Sequence, residues 1–239
     1  MIPTDGSPIG DTPALLVIDL QQGDPETDEA MVSDAGSVAG GYDAIIEHTN
    51  ELVAAARDAD VPVIWFKELH RPDFADYGAE LESCEPPHTL RGSAAERLHP
   101  DLDVDADGDD LPPAEYVVEK RRYNCFHRTE LEHLLATYDV DTVLLAGTMT
   151  NVCVHYTAHG AHEREYAFRA VEECVAAPTA ELHEIGLRCM RYLQPRGVRG
   201  LDDVTGALAD YDGNPVVRRV TETGRVTDDV GAVSADVSR

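Results

Sequence analysis

Residues 142–156 read TVLLAGTMTNVCVHY, and this stretch decides the fold. TVLLAGT (142–148) is an apolar, β-branched run of strand length, bounded by glycine and threonine. The residues from 152 to 164 carry a helical pattern. A strand that passes directly into a helix is the repeating joint of an α/β sheet. Cys153 falls at that joint, in the first turn of the helix.

Working outward, the same alternation recurs. ALLVIDL (14–20) is a continuous apolar run ending in Asp19, as expected of a buried parallel strand. Apolar residues at Ile45, Ile46, Leu52, Val53 and Ala56 give residues 42–58 a helical face. VPVIWF (61–66) and YVVEK (116–120) read as strands, separated by a long loop region that includes the acidic DVDADGDD. Residues 129–138 read as a helix opened by the capping-box-like T-E-L-E. AFRAVEECVAA (167–177) reads as a strand and residues 180–193 as a helix. Strands separated by helices imply one doubly wound, three-layer domain with a mostly parallel sheet and right-handed crossovers. The single domain is expected to span 1–239, with its core at about 12–210 and a loose polar tail at 221–239.

The charge is unusual. Forty-six acidic against nineteen basic residues give a formal charge of −27 in 239 residues. Only Lys67 and Lys120 are lysines. Acids spread along the whole chain repel one another in dilute buffer and are screened at high ionic strength, so the composition points to a salt-rich, halophilic cytoplasm. No basic stripe exists to meet phosphates, which argues against nucleic acid as a partner. No apolar run approaches the length of a membrane span, and MIPTDGSPIG lacks the regions of a signal peptide, so a cytoplasmic protein is expected. Five cysteines with no CxxC pair disfavour a disulfide framework and a structural zinc site.

In an open parallel sheet, ligands bind beyond the C-terminal strand ends. That rule collects Asp19 at the end of the first strand, Lys67, Glu68 and His70 after the second, Lys120 at the end of the third and Cys153 after the fourth. A thiol at a helix start beside a lysine is expected to favour its thiolate. A carboxylate nearby can take the thiol proton and return it to a leaving amine. Each residue taken singly also has an ordinary reading, as core filler or cap. Their joint placement suits acyl transfer from a small amide.

Three segments, ALLVIDLQQGD, VVEKRRYNCF and LLAGTMTNVCVHYTAHGAHEREY, resemble the signatures of the isochorismatase-like cysteine hydrolases. They correspond to that family's D-x-Q strand, K-x-R-x-x-x-F segment and G-x-x-T-[ND]-x-C turn. The helix HEIGLRCMRYL also fits. The resemblance implies Asp19 as proton acceptor and donor, Lys120 as its partner and Cys153 as nucleophile. It further implies a cis peptide between Thr148 and Met149, with the N–H groups of Met149 and Cys153 as oxyanion hole. Gln21, His70, Tyr123 and Phe126 become candidate substrate-binding residues. The family's members imply a homo-oligomer, dimer or tetramer.

The loop after the second strand resembles two branches. HRPDFADYG is similar to the loop of biuret-type ureide hydrolases, and RRYNCF resembles ureidoacrylate and carbamoylsarcosine enzymes; these imply no cofactor. Glu68-x-His70 and Pro86-Pro87-His88 instead resemble the D-x-H and P-P-H metal ligands of nicotinamidase-like members, with glutamate replacing aspartate and Asp76 in the place of a further histidine. That resemblance implies Zn or Fe on Glu68, His70 and His88. The first expectation is a metal-free hydrolase of a small amide or ureide substrate. Alternatives are a metal-assisted nicotinamidase-like amidase, a vinyl-ether hydrolase that needs no cysteine, and a ligand-binding homologue without activity.

Overall fold

A computed structural model describes residues 6–23, 41–82, 87–105 and 110–222. Six strands form one sheet: β1 (Pro13–Ile18), β2 (Val63–Glu68), β3 (Glu115–Lys120), β4 (Thr142–Thr148), β5 (Ala167–Ala176) and β6 (Val198–Arg199). Their order is β3-β2-β1-β4-β5-β6, and every pairing is parallel. The order reverses between β1 and β4, which opens the crevice where such sheets bind ligands. Asp19 and Cys153 follow those two strands.

Alternating side chains of the central strands feed two cores. Leu16, Ile18, Val143 and Leu145 pack with α2 (Leu131–Thr137), α3 (His155–Glu163) and α4 (Ala180–Leu193). Leu15, Val17, Leu144 and Ala146 pack on the other face with α1 (Gly41–Asp58) and α5 (Leu201–Ala209). Burying each such leucine stabilises the fold by about 1.5–3 kcal/mol. No helix among the described residues is long and apolar enough to cross a membrane.

Several boundaries differ from the sequence reading. β2 runs from Val63 to Glu68, two residues later than VPVIWF. Pro62 has no N–H to give to a ladder, and Lys67 and Glu68 continue the strand because they are buried among partners near its end. Both therefore belong to the strand and do not follow it. α2 begins at Leu131, and the expected capping box is absent. Thr129 Oγ1 instead accepts from the N–H of Leu131 at 3.3 Å and donates to the carbonyl of Cys125. β6, α5 and a last helix, α6 (Pro215–Glu222), were not read from the sequence at all. α6 takes in residues 221–222, which the sequence reading gave to the loose tail, and the rest of that expected tail lies outside the described residues.

The charge carries a direct consequence. Repulsion among exposed acids reaches about 10 Å at 0.1 M salt and about 3 Å at 1 M. We expect the melting midpoint to rise between about 0.1 M and about 1 M KCl. For a chain of this size, each kcal/mol of repulsion removed is worth about 2–4 °C. A midpoint that stays level or falls over that range contradicts a salt-adapted surface.

Candidate active site

Four neighbouring strands, β3, β2, β1 and β4, each deliver one polar group to the crevice. β3 ends in Lys120, whose register partner on β2 is Glu68. Asp19 follows β1, its N–H bonded to the carbonyl of Phe66 at 3.1 Å. It takes a left-handed φ of 53°, which turns the chain out of the strand. β4 passes close to β1 at Gly147, where a Cβ would lie 1.9 Å from the carbonyl oxygen of Ile18. Only glycine fits there, at a φ of 116°.

The peptide between Thr148 and Met149 is cis. The chain then enters a wide π-turn, Thr150–Val154, that continues into α3 and carries Cys153. α4 packs against this turn from outside. A Cβ on Gly186 would sit 2.7 Å from the carbonyl oxygen of Thr150, and His183 Nδ1 lies 2.9 Å from Thr150 Oγ1. His183 thus helps hold the turn that carries Cys153, a role the sequence reading did not assign.

The charged groups converge on Lys120, which is 1% exposed. Its Nζ lies 2.7 Å from Asp19 Oδ2, 3.2 Å from Glu68 Oε2 and 3.5 Å from Cys153 Sγ. Burial disfavours the ammonium, but Asp19, Cys153 and Glu68 together outweigh it and hold Lys120 above its ordinary range. Burial pushes the Asp19 carboxyl up to about 6, against the pull of Lys120 and with help from Glu68. Burial also raises Glu68, but Lys120, His70 and His88 overcome it and bring that carboxyl down to about 2.

Burial pushes the Cys153 thiol well above its ordinary range; Lys120 opposes this, while Asp19 and Glu68 add to it. This corrects the expectation of a standing thiolate. Desolvation and two flanking carboxylates override the helix start and the lysine, so the resting thiol holds its proton.

Next to this group lies a second cluster. Glu68, His70, Glu80 and His88 are all buried, and one ligand atom from each lies within 4.8 Å of the others. His70 Nε2 is 3.6 Å from Glu68 Oε1 and 4.0 Å from Glu80 Oε1. His88 Nε2 is 3.7 Å from Glu80 Oε1 and 4.0 Å from Glu68 Oε2. Glu68 Oε1, both oxygens of Glu80 and both ring nitrogens of His70 make no hydrogen bond. His70 stacks on Tyr77 with ring centroids 3.9 Å apart, and Tyr77 Oη accepts from the N–H of His88 at 2.6 Å.

Glu80 was not found in the sequence, where AELES gives no ligand pattern. Asp76 stands outside the cluster, 3.6 Å from His70 Nδ1, so Glu80 supplies the fourth donor that the loop comparison looked for at Asp76.

The candidate substrate-binding residues divide. Gln21 is spent on backbone: its Nε2 donates to Glu68 O at 3.0 Å and Ala95 O at 2.6 Å, and its Oε1 accepts from Glu68 N at 2.8 Å. It positions Glu68, a correction to the expected substrate contact. Phe126 is buried in the core, stacked on Tyr166 with Arg164 4.8 Å above its ring, and is likewise structural. His70 belongs to the four-group cluster. Tyr123 is half-buried and stacks on Tyr156 at 5.9 Å. Cys125 and Cys174 are fully buried in the two cores, and Trp65 donates from Nε1 to Glu115 Oε2 at 2.9 Å.

The isochorismatase domain, as a sequence family, matches residues 13–199. The chain belongs to the isochorismatase family. Among its relatives is the ureidoacrylate amidohydrolase RutB of Methylorubrum extorquens, 29% identical over 169 residues. That match covers 65% of this chain and 66% of the relative's length. The maleamate amidohydrolase of Pseudomonas putida is 30% identical over 187 residues, covering 74% of this chain and 78% of that one. A solved cysteine hydrolase from Pseudomonas syringae superposes with a TM-score of 0.70 at 25% identity, covering 85% of this chain and 95% of that one. Family membership places the parallel sheet, β1 through β6, within the matched span.

Proposed function

We propose that the chain is a cysteine-dependent hydrolase of small C–N amides or ureides. The observation that carries this reading is the meeting of Asp19, Lys120 and Cys153 at the sheet's switch point, with Lys120 Nζ 2.7 Å from the carboxylate and 3.5 Å from the thiol. Relatives named for ureidoacrylate and maleamate hydrolysis support the amide class.

Two carboxylates flank the thiol, and their basicity separates them. Glu68 Oε2 lies 3.9 Å from Cys153 Sγ but is held near pKa 2, which makes it a weak base. Asp19, at about 6, is much the stronger base and is ionised at neutral pH. In the proposed cycle Asp19 takes the thiol proton as Sγ attacks the carbonyl carbon. The oxygen gains the electron pair and is met by the N–H groups of Met149 and Cys153. The C–N bond breaks as Asp19 gives its proton to nitrogen, which releases ammonia or an amine and leaves a thioester. Asp19 then takes a proton from water, whose oxygen attacks the thioester and displaces the sulfur; Asp19 returns that proton to Sγ, which restores the resting thiol, and the acid product departs. Lys120 stays charged throughout and holds Asp19 beside the sulfur.

The test is ammonia release from small amides and ureides, maleamate and nicotinamide among them, before and after alkylation of Cys153. Release that stops when Cys153 is blocked supports the reading. Release untouched by the block contradicts it and favours the vinyl-ether or other thiol-independent chemistry.

The four-group cluster favours a metal-assisted variant of the same chemistry. Zinc bonded at about 2.0–2.2 Å in tetrahedral geometry holds its ligand atoms roughly 3.4 Å apart. The four ligand atoms lie within 4.8 Å of one another, with contacts of 3.6–4.0 Å too long for hydrogen bonds, so the side chains would have to draw in to hold such an ion. Two imidazoles and two carboxylates also suit Fe(II). Glu68, His70, Glu80 and His88 would hold the ion, which would supply a Lewis acid beside the thiol. Protein purified without chelator is expected to carry about one zinc or iron per chain, and His88→Ala to lose it. Wild-type protein that neither carries nor takes up either metal returns the site to the cofactor-free ureide reading.

A further inference from the structure

A cavity of about 430 Å³ opens at the C-terminal end of β3, where Lys120 borders it. Arg121, Arg122, Arg128 and His127 line it against two carboxylates, Asp76 and Glu119; the buried ammonium of Lys120 is already paired with Asp19 and Glu68. In a chain of net charge −27, such a local excess of cations stands out.

Most of these cations already have partners. Arg121 Nε lies 3.1 Å from Asp76 Oδ2 and its Nη2 is 3.2 Å from Glu119 Oε2. Its Nη1 donates to the Lys120 carbonyl at 3.3 Å. Arg122 Nη1 donates to the carbonyls of Asp76 and Arg121. Arg128 differs. Among the described residues its guanidinium makes no hydrogen bond or ion pair, whereas Arg57, Arg71, Arg188 and Arg191 on other surfaces each meet a carboxylate. Acids are abundant, so an arginine left unpaired in a cavity is a departure from the rest of the surface. Its backbone φ of 57° is also one that non-glycine residues seldom adopt.

We infer that this cavity is a carboxylate-binding site, with Arg128 as the residue that grips the anion. A guanidinium presents a planar fork of donors that matches a carboxylate in two parallel bonds. The need for it is electrostatic. An acidic ligand approaching this surface is repelled at low salt and gains no long-range attraction at high salt, so recognition must come from a short-range charged contact. Arg121 and Arg122, fixed by their own partners, supply the positive wall behind it. The site rests on the proposed amidase reading only for its purpose: it would select amides that carry a second, ionised carboxyl group. The carboxylate is either the far end of the substrate or a separate acid molecule such as the product.

The probe is maleate, titrated calorimetrically into the full chain and into Arg128→Asn in about 1 M KCl, where only short-range contacts survive. Asparagine tolerates the left-handed backbone and removes the charge, so the variant keeps its turn. Loss of a charge-assisted pair is expected to weaken maleate binding by about 10- to 100-fold. Cys153→Ala should bind maleate as the wild type does, which separates this site from the amidase reading. If maleamate is hydrolysed, a rise in its KM in Arg128→Asn with kcat held and nicotinamide turnover unchanged assigns the carboxylate to the substrate. Maleate that binds without competing against maleamate assigns it to a second molecule. Wild-type protein that does not bind maleate, or binding equal in Arg128→Asn, overturns the inference.

Discussion

Cys153→Ala is expected to lose amide turnover by about 10⁴-fold or more while its melting curve stays close to that of the wild type. The magnitude follows from the nucleophile's position at the head of the cycle. Without sulfur there is no acyl intermediate, and only binding and oxyanion contacts remain to act on water. The fold should hold because the loss is one buried sulfur beside charged neighbours. Cys153 is 4% exposed and rests as a neutral thiol, so its removal leaves no buried charge without a partner. Turnover within a few-fold of the wild type, measured as ammonia release, would contradict a thiol mechanism. It would leave the vinyl-ether reading, which needs no cysteine, as the better account of the fold.

The second large effect concerns stability. Lys120→Met is expected to cost about 3–5 kcal/mol in chemical denaturation, together with the activity. The variant leaves Asp19 and Glu68 without the cation that lies 2.7 Å and 3.2 Å from them. Two like charges facing each other out of water must either separate or take up a proton. A loss of that size is a large fraction of an ordinary domain's total, so the single variant is expected to express poorly. The double variant Asp19→Asn with Lys120→Met removes one charge of each sign and should recover part of the stability without activity. Lys120→Met with wild-type stability, or a double variant less stable than the single one, would show that Lys120 does not hold this cluster together. Arginine is no conservative replacement, because a planar guanidinium cannot fit among three groups packed around one ammonium.

Much of the fold was legible because apolar runs and glycines mark it. TVLLAGT is β4 at both ends, and the helix at 180–193 is α4 at both ends. β2 was misplaced because Lys67 and Glu68 look like a strand's exit, and only the neighbouring strands reveal that charge can be buried there. β6 has two residues, too few for any pattern. α6 did carry a signal that could have been used. Asn214 precedes Pro215, and its Oδ1 accepts from the N–H of Val216 at 2.9 Å, a helix start written in two letters.

The candidate site divides along the same line. Asp19, Lys120 and Cys153 stand at the ends of recognisable strands, so topology alone brings them together. Glu80 reaches the histidines from a 3₁₀ turn in a loop, Gly78–Glu82, and no local pattern announces that approach. Gln21 sits in a signature segment yet serves the backbone of Glu68, because a buried strand end leaves peptide groups that need partners. Phe126 looked like a pocket wall from its motif, but an aromatic ring beside Tyr166 and Arg164 packs in the core.

The central claim is a covalent bond between substrate and Cys153. The most direct measurement is mass spectrometry of the full chain, quenched in acid during turnover of an amide substrate and then digested. The peptide containing Cys153 is expected to carry the mass of the acyl group, with the adduct absent in Cys153→Ala and lost as turnover ends. Sustained ammonia release from protein whose Cys153 peptide is unmodified at every time, and which remains active after that thiol is alkylated, would contradict the account.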